Sequence, residues 1–163
     1  MKLNLGCGAD LREGYINCDY GDREGYGDNQ VTQFKSVNLT CYPWPWKDGT
    51  VDEVLMWHVL EHLSDTTGVI REIHRILKPA GVFWGQVPFA FSDLSWAQFD
   101  HEKHFTDKTF HGMKHFGFTV ETSLGTHSMH LQHRIRNLIP LRSVLCRFLF
   151  NMYDVVNFKM TKV

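Results

Sequence analysis

Met1-Lys2-Leu3-Asn4-Leu5-Gly6-Cys7-Gly8 is followed, after a short interval, by Tyr15-Ile16-Asn17-Cys18-Asp19: a glycine loop leaving one strand and an acid closing the next. Glycine lets a backbone turn sharply and lets a ligand lie against it. A carboxylate at the carboxyl end of a strand can accept hydrogen bonds from both hydroxyls of a ribose. The spacing departs from the dinucleotide fingerprint, which has a further Gly or Ala where this chain has Leu11, and an acid about 20 residues on, where Asp19 comes early. Parallel strands usually need a dozen or more connecting residues for a crossover helix. Gly6 to Gly14 is too short for one, so a pyrophosphate would lack its helix N-terminus. The stretch therefore predicts a nucleoside site for a ligand without phosphate.

Working outward, strand signals recur at Phe34 to Leu39 and at Val51 to Met56. Between them Tyr42-Pro43-Trp44-Pro45-Trp46 cannot be regular structure, because two prolines remove donors and fix φ. From Leu60, apolar Leu63, Ile70, Ile73 and Leu77 recur at helical spacing, and Lys78-Pro79-Ala80-Gly81 reads as the stop. Val82 to Val87 is the next strand. Pro88 to Phe105 is long for a connection, which suggests a lid or binding loop. Thr106 reads as a helix cap, Gly117 as its end, and Phe118 to Thr122 as a strand. A basic amphipathic stretch from about Met129 to Met152 precedes a terminal strand in which Val156, Phe158 and Met160 alternate with polar residues. Alternating strands and helices predict an α/β fold: a Rossmann-like, doubly wound, mostly parallel sheet with an antiparallel C-terminal strand. The 163 residues read as a single domain, with a cofactor-binding half over 1–87 and a lid loop, substrate-side helices and terminal strands over 88–163.

Composition narrows the function. Lys plus Arg number 17 against 18 Asp plus Glu, a net charge of −1, which argues against a general nucleic-acid binder. Positive charge gathers late in the chain, at Arg134, Arg136, Arg142, Arg147, Lys159 and Lys162 against Asp154, and peripheral contact with an anionic surface is one use for it. The four cysteines show no paired spacing and no secretory signal precedes them, so a reduced, cytoplasmic setting is expected. No apolar run reaches the length of a membrane span.

Taken in order, Leu3 to Gly8, Gly14 to Asp19, Pro43-Trp44-Pro45-Trp46-Lys47-Asp48-Gly49, His58-Val59-Leu60-Glu61-His62-Leu63, Glu72 to Gly81 and Asp100-His101 to Phe105-Thr106 resemble the class I S-adenosylmethionine-dependent methyltransferases, in particular the small methyltransferase-domain group of bacteria and phages. The resemblance implies S-adenosylmethionine as cofactor. It implies that Gly6, Cys7 and Gly8 pass under the methionine portion, that Asp19 holds the ribose with Tyr20 beside it, and that Asn38 and Leu39 meet adenine, where Asn38 replaces the family's more usual Asp. Trp57 and His58 would lie near the sulfonium; Met56 reads better as core. The family often places helices ahead of its first strand as cover for substrate, whereas this chain begins in that strand. Cover would then come from the loop carrying Phe89, Phe91, Trp96 and Phe99, from the basic segment, or from a second subunit of a homodimer. Most of these aromatics are expected to be core.

An acceptor hydroxyl benefits from a general base, and histidine suits that work near neutral pH. His101, then His62 and His104, are the candidates, with His58 also on a segment that meets the carboxyl ends of the strands. The pairs and runs His101/His104, His111/His115 and His127/His130/His133 have spacings that can share a helix face, but without cysteine or a carboxylate-containing zinc motif no metal is expected. The sequence thus reads as an O-methyltransferase of a small molecule or glycan. The fourth strand lacks the Asn/Asp-Pro-Pro-aromatic end with which base-methylating enzymes grip nucleic acid. The early acid and absent third glycine disfavour a nicotinamide oxidoreductase. The alternative of another class is a non-catalytic nucleoside-binding module that engages a partner through its basic C-terminal segment.

Overall fold

The computed structural model describes residues 1–21, 33–126, 138–146 and 149–163. A seven-stranded sheet runs in the order β3-β2-β1-β4-β5-β7-β6. Its strands are β1 (Lys2–Leu5), β2 (Ile16–Asp19), β3 (Gln33–Ser36), β4 (Val51–Trp57), β5 (Leu77–Pro88), β6 (Phe118–Gly125) and β7 (Val155–Lys162). β3, β2, β1, β4 and β5 are parallel; β7 is antiparallel to both β5 and β6. The strand order reverses between β1 and β4, the kind of switch point at which open α/β sheets bind ligands beyond the carboxyl ends of their strands.

No helix joins β1 to β2, as their short separation required. Two buried asparagines hold the loop instead. Asn4 Nδ2 donates to Asp10 O at 2.7 Å and to Asn17 Oδ1 at 2.9 Å, and Asn17 Oδ1 also accepts from Arg12 N at 2.9 Å. Backbone groups that a crossover helix would have satisfied internally find side-chain partners here.

The helix between β4 and β5 begins later than the periodicity predicts. Leu60–His62 is a single 3₁₀ turn, and α1 spans Thr66–Ile76 with Asp65 as its cap, accepting from Gly68 N at 2.8 Å. Leu60 and Leu63 continue the apolar spacing backward, but Asp65 in cap position starts the helix proper. Val69, Ile70, Ile73 and Ile76 are buried, each worth about 1.5–3 kcal/mol relative to exposure. The helix ends at Ile76 rather than at Lys78; Leu77 already pairs with Val51, Val82 resumes against Glu53, and the register of β5 shifts between them. Arg75 fastens the proline-tryptophan segment to α1. Its guanidinium donates to both carboxylate oxygens of Glu72, to the carbonyls of Trp44 and Trp46, and to Asp48.

Pro88 to Phe105 is tied at its base by Phe89 N to Asp154 O at 2.8 Å and Ala90 N to Phe105 O at 2.7 Å, and carries a short helix α2 (Asp93–Trp96). Beyond it, Thr106 caps a 3₁₀ stretch Asp107–Phe116 that ends at Gly117 with φ 81°, so the expected helix is present in the tighter form. The basic segment from Met129 and the run His127/His130/His133 lie largely or wholly outside the described residues. No helix among the described residues is long and apolar enough to cross a membrane.

Candidate active site

A cleft of about 500 Å³ opens beyond the carboxyl ends of β1, β2 and β4, within the range of ligand pockets. Gly6 and Gly8 form one wall, Asp19 and Tyr20 the rim, Val37 to Thr40 a second wall, and His58, Val59, His62 and Leu63 the third. Gly6 has φ 67°, and a Cβ there would lie 2.5 Å from Val59 Cγ2, so the loop can approach β4's following turn only as glycine.

Asp19 is anchored by the loop itself: Gly8 N donates to Oδ2 at 2.6 Å and Tyr20 N to Oδ1 at 2.7 Å. Each oxygen keeps a second lone pair for a ribose hydroxyl. Asn38 Oδ1 accepts from Thr40 N and Oγ1 at 2.9 and 2.7 Å, which directs the amide's donor end elsewhere. Cys7 and Cys18 are buried beneath the glycine loop, with Cys7 N donating to Cys18 O at 3.0 Å, so Cys7 supports the cleft without lining it. Burial pushes the Cys18 thiol up to about 12, which leaves it no role as a nucleophile.

Trp57 turns away. It lines a different hollow with Trp84, Asn157 and Lys159, and Arg12 stacks over its ring at 5.5 Å. His58, by contrast, adopts φ 54° and its ring sits between Glu61 Oε1, 3.2 Å from Nδ1, and Gln86 Oε1, 3.0 Å from Nε2. Histidine is among the residues that tolerate this left-handed region, and the two oxygens hold it there. Met56 is core, at 1% exposure.

The loop after β5 delivers His101. Glu102 N and Lys103 N donate to the Glu61 carbonyl at 2.8 and 3.2 Å, and the His101 ring packs edge-on against His62 at 4.8 Å. His62 Nδ1 lies 3.0 Å from the Asp100 carboxylate, and His101 Nδ1 lies 2.9 Å from Ser95 O. With Nδ1 bonded to an acceptor, a neutral ring carries its hydrogen there and its free lone pair on Nε2. His104 does not join them: its ring stacks on Trp96 at 3.7 Å and its Nδ1 lies 2.8 Å from Ser95 Oγ. Of the loop aromatics, Phe89 is core while Phe91, Trp96 and Phe99 are exposed. Sequence reasoning missed Val37, Thr40, Val59 and Leu63 as lining, and Glu61 and Asp100 as partners of the histidines.

These residues fit S-adenosylmethionine. The glycine cradle has no room for a Cβ at Gly6, the carboxylate rim suits a ribose, and Val37, Leu39 and Leu63 offer apolar contact for a base. Among the described residues, no lysine or arginine lines the cleft to meet a phosphate.

Comparison with known proteins agrees. Residues 6–85 match the methyltransferase-domain family. A S-adenosylmethionine-dependent methyltransferase from Archaeoglobus fulgidus superposes with a TM-score of 0.75 at 16% identity, covering 99% of this chain and 85% of that one. One from Mesorhizobium loti gives 0.69 at 13% identity, covering 99% and 90%. The Haloferax volcanii complex of a methyltransferase with a methyltransferase activator gives 0.69 at 16%, covering 99% and 81%. No curated protein matches the sequence.

Proposed function

We propose that residues 6–85, which match the methyltransferase-domain family, form a S-adenosylmethionine-dependent methyltransferase domain of class I, and that the chain methylates an oxygen of a small molecule or glycan, activated at the His62–His101 pair. The observation that carries this reading is that one cleft joins the nucleoside-binding residues to His62, whose ring touches His101. When bound, the cofactor would supply a sulfonium methyl for transfer to the acceptor oxygen. Asp19 would hold the ribose, the Gly6–Gly8 loop would support the amino-acid end, and Asn38 and Leu39 would border the base. Asp100 orients His62, whose Nε2 takes the proton that the acceptor oxygen loses, the usual division of labour between an orienting carboxylate and an imidazole base. Positioning of two reactants does most of the rest. None of Cys7, Cys18, Cys41 and Cys146 forms a disulfide, which supports a reducing, cytoplasmic setting.

Calorimetry with S-adenosylhomocysteine and NAD in parallel tests the cofactor: binding of NAD and not of the homocysteine product would overturn the reading. For the acceptor, transfer of labelled methyl to a panel of sugars and hydroxylated small molecules should fall about 10²- to 10⁴-fold in His62→Ala and His101→Ala. His101→Ala should keep its affinity for S-adenosylhomocysteine, because His101 does not line the nucleoside cleft. Undiminished turnover in both variants would remove the pair from the chemistry.

A further inference from the structure

We propose that Glu61, His62 and His101 form a binding site for a divalent transition-metal ion of the zinc type beside the cofactor cleft; this rests on the oxygen-methylating reading above and specifies how the acceptor oxygen is held. One ligand atom from each of the three residues falls within 4.8 Å of the others. A tetrahedral ion with bonds of about 2.0–2.1 Å places its ligands about 3.4 Å apart, so the set closes by a modest side-chain adjustment.

Each donor is already prepared. Metal-bound histidines almost always donate their other ring N–H to a carboxylate or a backbone carbonyl. His62 Nδ1 has the Asp100 carboxylate at 3.0 Å and His101 Nδ1 has Ser95 O at 2.9 Å, which leaves Nε2 of both rings available. Glu61 supplies the third donor and the independent sign of a ligand. Its side chain is 1% exposed, Oε1 is engaged by His58, and Oε2 has no hydrogen-bond partner among the described residues. A buried carboxylate oxygen without a partner is costly, and a cation relieves it.

Two imidazoles and a carboxylate suit zinc-like ions, whereas calcium and magnesium take oxygen ligands. Three protein ligands leave a coordination position for an oxygen of the acceptor. A bound ion then takes over activation from the bare imidazole, lowering the hydroxyl's hold on its proton, which passes to solvent. The spacing His101-x-x-His104 concealed this set. His104 belongs to Trp96 and Ser95, and His101 finds its partners on the turn after β4.

The test is calorimetric titration of Zn²⁺ into the full chain after treatment with EDTA, with S-adenosylhomocysteine titrated into a portion of the same sample. A single zinc site is expected, weakened at least about 100-fold in His101→Ala and in Glu61→Gln, while His101→Ala retains the affinity for S-adenosylhomocysteine. Should Glu61→Gln fail to fold, His101→Ala decides. Absence of zinc binding by the unaltered chain, or zinc binding that His101→Ala leaves unchanged, overturns the proposal. Loss of S-adenosylhomocysteine binding by the unaltered chain would instead overturn the methyltransferase reading, and is read separately from the zinc titration.

Discussion

Gly6 shows how much one residue can decide. Its positive φ and its approach to Val59 are separate demands, and Gly8 makes a useful contrast: its φ is 45° but nothing lies within 4 Å of where its Cβ would be. Gly6→Ala should therefore cost about 2–4 kcal/mol, from backbone strain and overpacking together, and Gly8→Ala about 1–2 kcal/mol from strain alone. Urea unfolding measures both, and equal losses would show that contact with Val59 is unimportant. The turn at the glycines and the place of Asp19 beside it were legible in the sequence, because backbone geometry and carboxylate chemistry leave few substitutes. Trp57 was not, because adjacent residues on a strand face opposite sides and nothing local says which side holds the ligand. Glu61 was still less visible: acids are almost never buried unless paired, and although His58 is only three residues away, nothing local says that the loop carrying His101 packs against this turn.

Among the elements, α1 and the proline-tryptophan segment are held as one unit by Arg75. Glu72, mostly buried, is pulled below its ordinary value of 4.5 first by its hydrogen bond to Arg75, against the opposing effect of burial. Removing the guanidinium leaves two carbonyls without their partner and the carboxylate with Trp44 N as its remaining donor, so Arg75→Ala should lose about 1–3 kcal/mol at neutral pH. Since the folded value is depressed, the Glu72 contribution is fully present above about pH 4.5 and is lost as pH falls through the folded value. Urea midpoints of the original chain and Glu72→Gln should therefore differ at pH 7 and converge in acid; a gap that persists at low pH would contradict the assignment. The sequence placed this helix but misjudged its ends. Apolar spacing carries through the 3₁₀ turn at Leu60–His62, and only the Asp65 cap, an ordinary polar residue by composition, separates the two.

At the scale of the molecule, the alternation of strands and helices was enough to foresee a mostly parallel sheet closed by an antiparallel strand. The sheet's exact order could not be read, because nothing in the pattern of Val156, Phe158 and Met160 says that β7 lies between β5 and β6 rather than at an edge. Its burial shows the consequence: Phe158 is 2% exposed, stacks on Phe110 at 4.3 Å and packs edge-on to Phe83 at 5.0 Å, while Gly85 has no room for a Cβ beneath its ring. Phe158→Ala should cost about 3–5 kcal/mol by urea unfolding, with the folded protein's affinity for S-adenosylhomocysteine unchanged because the ring does not line the cleft. A loss below about 1 kcal/mol would mean that the neighbouring rings close over the space.

The central position of β7 also matters before folding is complete. Val155–Lys162 follows every other strand in sequence, yet it pairs along its length with β5 on one side and β6 on the other. During synthesis on the ribosome, both partners wait with open hydrogen-bonding edges until these last strand residues emerge. Truncation before Val155 would make that transient state permanent, so such a chain should be recovered as aggregate rather than as a smaller folded protein.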